Sequence, residues 1–151
     1  MKNRYLLVAL AVIPLLVGCG ESEGNDIVHN QGKNCLSCHS GGEHSFTSGV
    51  TIYKSIDGAD NDSNDVHDDY NVQLLLDNGQ VITYSKGNGL GNKKYSGSIT
   101  NKFTSQVVDA SGSVVNSSNT NSHDASRVAC NSCHTSSGAN GAPGRVVGFR
   151  F

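Results

Sequence analysis

Cys35-Leu36-Ser37-Cys38-His39 has a counterpart near the other end of the chain, Cys130-Asn131-Ser132-Cys133-His134. Two thiols at this spacing can form thioethers to the two vinyl groups of a haem, while the imidazole that follows reaches the iron from one face. The spacing therefore predicts two covalently bound haem c groups. Cys35, Cys38, Cys130 and Cys133 are the attachment residues, and His39 and His134 the proximal iron ligands. Three other uses of such cysteines compete. A zinc site would join two C-x-x-C pairs, but 91 residues separate Cys38 from Cys130, far more than the gap inside a zinc ribbon. A thioredoxin-like redox pair expects a βαβ setting that the sequence does not offer. Two structural disulfides suit an exported chain but give no reason for a histidine after each pair.

A second ligand for each iron must come from elsewhere. Methionine is excluded, because the single Met is Met1, at the start of a segment read below as a signal. Met/His ligation raises haem potential, so its absence points to bis-histidine haems of lower potential, or to a haem with an open sixth position. His29 stands six residues before Cys35 and His123 seven before Cys130, which makes these two the distal candidates. The ten or eleven residues to the proximal histidine leave ample chain to pass round the macrocycle. His44 is the reserve. The five residues from His39 reach at most about 17 Å when fully extended, which is tight for the same iron but open to the other haem. His67, among carboxylates in Asn64-Asp65-Val66-His67-Asp68-Asp69, reads as a solvated loop histidine.

The N-terminus sets the compartment. Lys2 and Arg4 precede an apolar run from Tyr5 to Val17, too short to cross a bilayer comfortably and ordered like an export signal. Residues 1–18 are thus a signal peptide. Leu16-Val17-Gly18-Cys19 resembles the lipobox of bacterial lipoproteins, which implies lipidation at Cys19, and Gly20 in place of Asp resembles an outer-membrane address. Residues 19–151 read as one dihaem domain, with a first haem segment at 19–48, a β insert at 49–118 and a second haem segment at 119–151. Without residues 1–18 the formal charge moves from −2 to −4, which argues against nucleic-acid binding. Rich in Gly, Asn and Ser and lacking Trp, the chain buries a thin core by itself, so two haems would fill the interior.

The elements that must position the motifs are strands. Gly49-Val50-Thr51-Ile52-Tyr53 is a β-favouring run, and two further runs flank Asn78-Gly79, a strong hairpin signal. Two or three more lie between Ser96 and Asn116, broken at Ser111-Gly112. No 3.6-residue apolar period is sustained after residue 18. About six short strands with close turn signals predict a mainly β fold, a small antiparallel sandwich or meander. The stretch Lys86–Gly97 is read as too glycine-rich for regular structure. Asp57, Asp60, Asp62 and Asp65 in the acidic loop 57–69 raise calcium binding, though the spacing is not that of an EF-hand. The segment after His134 reads as a tight loop over a haem, with Arg145 or Arg127 as a partner for a propionate.

These residues together resemble the small dihaem and multihaem c-type cytochromes of bacteria that respire on external acceptors. The lipobox at Cys19, the two C-x-x-C-H motifs and the run after the first haem carry the resemblance. The middle segment is similar to a transthyretin-like sandwich. The resemblance implies electron carriage at the outer membrane, on its periplasmic face or at the cell surface. Its partners would be other cytochromes or a terminal acceptor, with self-association into haem chains as a further expectation. Saturated bis-histidine ligation leaves no place for substrate, so the chain is not expected to be an enzyme. A haem enzyme or gas sensor with one five-coordinate haem, and a haem-free β-sandwich binding lipoprotein, are the alternatives.

Overall fold

The computed structural model describes residues 30–87, 90–118 and 122–149. Cys19 and His29, and with them the signal, the lipid attachment and one distal ligand, lie outside the described residues. Among the described residues eight strands form two four-stranded sheets: β1 (Ser48–Tyr53), β2 (Asn71–Leu76), β3 (Val81–Thr83), β4 (Ser85–Lys86), β5 (Asn92–Tyr95), β6 (Phe103–Val108), β7 (Val114–Ser117) and β8 (Val146–Val147). The first sheet runs β4-β5-β1-β8 and the second β3-β2-β6-β7. Two single-turn helices carry the motifs, α1 at Leu36–His39 and α2 at Cys130–Cys133. No described helix is long and apolar enough to cross a membrane.

The sheets enclose one apolar core because alternate residues of each strand point inward. Val72, Leu74 and Leu76 of β2 are buried, while Asn71, Gln73 and Leu75 between them are half-exposed, the period-2 signature of a strand with one wet face. Ile82, Phe103 and Val107 join them, and Val50 and Ile52 of β1 meet them from the other sheet. All six residues of β1 are buried, so its second face, Gly49, Thr51 and Tyr53, is covered as well. The covering comes from the segments that carry the two C-x-x-C-H motifs and from the loop 54–70, and it makes β1 the strand on which the candidate site is built.

The hairpin predicted at Asn78-Gly79 forms, and a second hairpin with the same loop forms at the break at Ser111-Gly112. Leu76 N donates to Gln80 O and Gly79 N to Leu76 O, with Gly79 at φ +86. Asp109 and Ser113 repeat this arrangement around Gly112 at φ +84. Each is a turn closed by a left-handed residue, the three-residue hairpin loop in which glycine costs least.

Two features differ from expectation. β5 lies inside Lys86–Gly97 and pairs antiparallel along β1, Ser48 opposite Tyr95 through Thr51 opposite Asn92. Its register is set by β1 rather than by its own composition. β8 lies in the C-terminal stretch read as a loop, and it pairs with β1 in parallel, Ile52 opposite Val146. The fold is mainly β in two antiparallel-rich sheets, with this one parallel edge.

Candidate haem-attachment site

The two motifs, so distant in sequence, meet at the start of β1. Ala129, just before α2, forms a parallel bridge to Gly49, occupying the edge of β1 that β8 leaves free. Neighbouring residues of β1 then take one motif each. Ser48 Oγ lies 4.0 Å from Cys130 Sγ. Gly49 faces Cys35 so closely that a Cβ there would sit 3.1 Å from Cys35 Sγ and 2.7 Å from the Phe46 ring. Glycine at 49 is therefore the cradle that admits the first cysteine. Ser48 is held by donating to Val128 O at 2.6 Å and by a hydrogen bond with Tyr84 Oη.

Both imidazoles that follow the cysteines are oriented in the same way. His39 Nδ1 donates to His44 O at 3.1 Å and His134 Nδ1 donates to Gly144 O at 2.8 Å. A carbonyl can only accept, so in each ring the proton is on Nδ1 and the lone pair on Nε2, the tautomer of a metal-ligating histidine with a backbone partner. The His39 ring stacks on Phe46 with centroids 4.8 Å apart. Burial holds His134 below its ordinary pKa, and the nearby His123 adds to the depression, so the ring is neutral at pH 7, as a ligand must be.

The second motif opens on a cavity of about 840 Å³ between the sheets. Its walls include Cys130, Cys133 and His134 on the α2 side, Val72, Leu74 and Phe103 from the second sheet, and His123. The volume lies within the range of about 300–1,000 Å³ usual for cofactor sites. His123 is fixed by a two-way backbone bridge to Phe103 and stacks on the Phe103 ring at 5.4 Å, nearly parallel. Its buried Nδ1 has no hydrogen-bond partner among the described residues, a condition that costs about 1–3 kcal/mol for a polar group left unpaired. The residues of this cavity fit a haem: two thiols and an imidazole at the attachment end, walls that mix Val72, Leu74 and Phe103 with serine and asparagine side chains, and a second imidazole in the same cavity.

The first motif is more open. α1 has no buried residue. His44 contributes its carbonyl to His39 while its own side chain is exposed, and His67 packs edge-on to Tyr70 at 4.7 Å, away from the cavity walls. Partial burial and the nearby Lys54 lower the His67 pKa against the opposing pull of Asp69 and Asp65, and the ring is half-buried. Cys35, Cys130 and Cys133 are free thiols, and burial pushes Cys130 up to about 11. Cys38 is disulfide-bonded in this structure. One sulfur cannot serve a disulfide and a thioether, so attachment requires this bond to be reduced.

Arg145 does not point at a propionate. It is buried, pairs with Asp60, and donates to Gly32 O, Gly58 O and His134 O. Arg127 remains at the exposed rim of the cavity. The acidic loop is likewise committed elsewhere: Asp60 to Lys33 and Arg145, Asp62 to Asn64 N, Asp65 to Ser55. No group of three or more His, Cys, Asp or Glu among the described residues is placed to hold a metal ion by itself, which leaves calcium at the loop without support.

Sequence reasoning missed Asn131, Ser48, Thr51 and Tyr84, the buried polar residues that join the motifs to β1. Only the position of Asn131 inside a C-x-x-C marked it, and the chemistry of the motif leaves that position free. No protein family, curated protein or solved structure matches the chain.

Proposed function

We propose that the protein is a dihaem c-type cytochrome that carries electrons between respiratory partners from a lipid anchor at Cys19. The observation that supports it most is the cavity between the sheets, which gathers Cys130, Cys133, His134 and His123 on one set of walls. Cys35, Cys38 and His39 would hold the first haem, and Cys130, Cys133 and His134 the second. The haem supplies one-electron redox chemistry when bound. What the chain supplies is position and environment. The backbone oxygens of His44 and Gly144 fix the two imidazoles, the strands form the walls of the second site, and Arg127 at the exposed rim would be the residue to meet a propionate.

His123 is the distal ligand of the second haem on this reading, and His29 that of the first. With both faces of each iron taken, the protein transfers electrons and catalyses nothing at the metal. Four propionates take the formal charge from −4 to about −8, which favours partners with basic docking faces. The openness of α1 makes the first haem the natural point of contact with such partners.

Optical and electron-spin spectra of the haem-loaded protein test the ligand set. Wild type is expected to be wholly low-spin and indifferent to carbon monoxide, and His123→Ala to turn one haem high-spin while His44→Ala leaves both low-spin. A wild-type protein with one high-spin haem that binds carbon monoxide points instead to a haem enzyme or sensor. A low-spin His123→Ala variant removes His123 from the ligand set.

A further inference from the structure

Asn131 lies in the second motif, yet its side chain serves the first. It is almost fully buried, 3 % exposed. Its Oδ1 accepts Thr51 N–H at 3.1 Å, in the place where a neighbouring strand would offer a peptide carbonyl. Its Nδ2 donates to Lys33 O at 2.9 Å and to Thr51 Oγ1 at 3.1 Å, and lies 3.7 Å from Cys35 Sγ. Two amide protons thus face three acceptors, and the sulfur takes the remaining share. Thr51 Oγ1 has no capacity left. It donates to Asn92 Oδ1 at 2.7 Å and accepts from Gly32 N at 3.0 Å as well as from Asn131.

One amide therefore joins residues 32–35, the middle of β1 and α2. A lone surface asparagine would have no such consequence. Here the two bonds to Thr51 are buried and those to Lys33 and Cys35 part-buried, a setting in which a hydrogen bond is electrostatically stronger than in water.

We infer that Asn131 is a positioning residue that clamps the first attachment segment to the second and donates to the Cys35 sulfur, so that the second motif tunes the potential of the first haem. The inference rests on the cytochrome reading above. The donor end of the amide dipole faces the sulfur and favours the electron-rich, reduced state of the group attached to it. Removing the donor lowers the potential of that haem and leaves the other in place. Thr51→Val acts in the opposite sense, because it frees the amide proton that the hydroxyl shares with Cys35.

The test is a redox titration of haem-loaded wild type, Asn131→Leu and Thr51→Val, with the haem count of each fixed by intact mass. In Asn131→Leu one midpoint is expected to fall, changing the reduced-to-oxidised ratio of that haem by about two- to tenfold at fixed potential, the net worth of one hydrogen bond. Thr51→Val is expected to move the same midpoint upward. Amide exchange at Thr51 should quicken in Asn131→Leu, a readout that needs no haem signal. If Asn131→Leu fails to accumulate, Thr51→Val still decides. Midpoints that stay put in Thr51→Val, or that shift together in either variant, overturn the inference. Wild-type protein carrying fewer than two haems overturns the cytochrome reading beneath it instead.

Discussion

Arg145 donates a hydrogen bond to the backbone oxygen of His134 at 3.1 Å from beneath the second motif. The same guanidinium reaches Gly32 O at 3.1 Å and Gly58 O at 3.0 Å, pairs with Asp60, and lies 4.8 Å from the centre of the Tyr53 ring. A planar fork with five donors can satisfy three carbonyls and a carboxylate at once, which an ammonium cannot. One side chain thus binds Gly32 ahead of the first C-x-x-C-H motif, the acidic loop, and His134 of the second motif around Tyr53.

Replacing Arg145 by Ala should leave those carbonyls and Asp60 without their partner inside the fold. The expected loss is about 2–4 kcal/mol, read as a lower denaturant midpoint in haem-loaded protein. Arg127→Gln, at the exposed rim, should change stability by no more than about 0.5 kcal/mol while moving one haem potential. Equal stability losses in the two variants would contradict the separate roles given to them.

Acid should loosen the same region. Burial opposes the charge on Asp60, but Lys33 and Arg145 outweigh it and hold the carboxyl below the usual carboxylate range. Asp68 is the same case, with burial opposed by Lys86 and Lys93. Both pKa values are lower in the folded state, so the stability they contribute is present above the unfolded value of about 3.9 and is lost as pH falls through the lower folded value. Unfolding measured from pH 7 down to pH 2 should show a plateau and then a decline below about pH 4. The decline should be shallower in Asp60→Asn. A variant with the wild-type slope would mean that this carboxylate is not what acid titrates.

Gly49→Ala tests the cradle at the first cysteine. The added methyl would press on Phe46 and on Cys35, and overpacking of this kind costs about 1–3 kcal/mol. Moving Cys35 should also impair attachment at the first motif. Mass spectrometry is expected to find a population with one haem fewer, the haem that remains being joined to Cys130 and Cys133. Full occupancy of both sites with unchanged stability would show that the close approach at Gly49 is not needed.

The chemistry of the site is more legible in the sequence than its assembly. The cysteines and the histidine beside them are contiguous, so spacing alone marks them as candidates, and Asn78-Gly79 announces its hairpin because a left-handed residue is a local need. β5 escapes notice because Asn92-Lys93-Lys94-Tyr95 has little intrinsic strand preference and forms by pairing with β1. β8 is two residues long and exists only because the edge of β1 is open there. Arg145 and Asn131 read as ordinary polar residues, since their burial depends on carbonyls contributed by segments as far away as Gly32 and Lys33. The meeting of the two motifs at Ser48 and Gly49 is a property of the topology, which no local pattern encodes.

The central claim is that two haems are joined covalently to this chain, and intact mass tests it most directly. Protein produced in a host with cytochrome maturation, under conditions that keep Cys38 reduced, should be heavier than the processed polypeptide by two haem groups. Cys35→Ala/Cys38→Ala and Cys130→Ala/Cys133→Ala should each lose one. A colourless protein of unmodified mass, its cysteines paired as disulfides, would contradict the account.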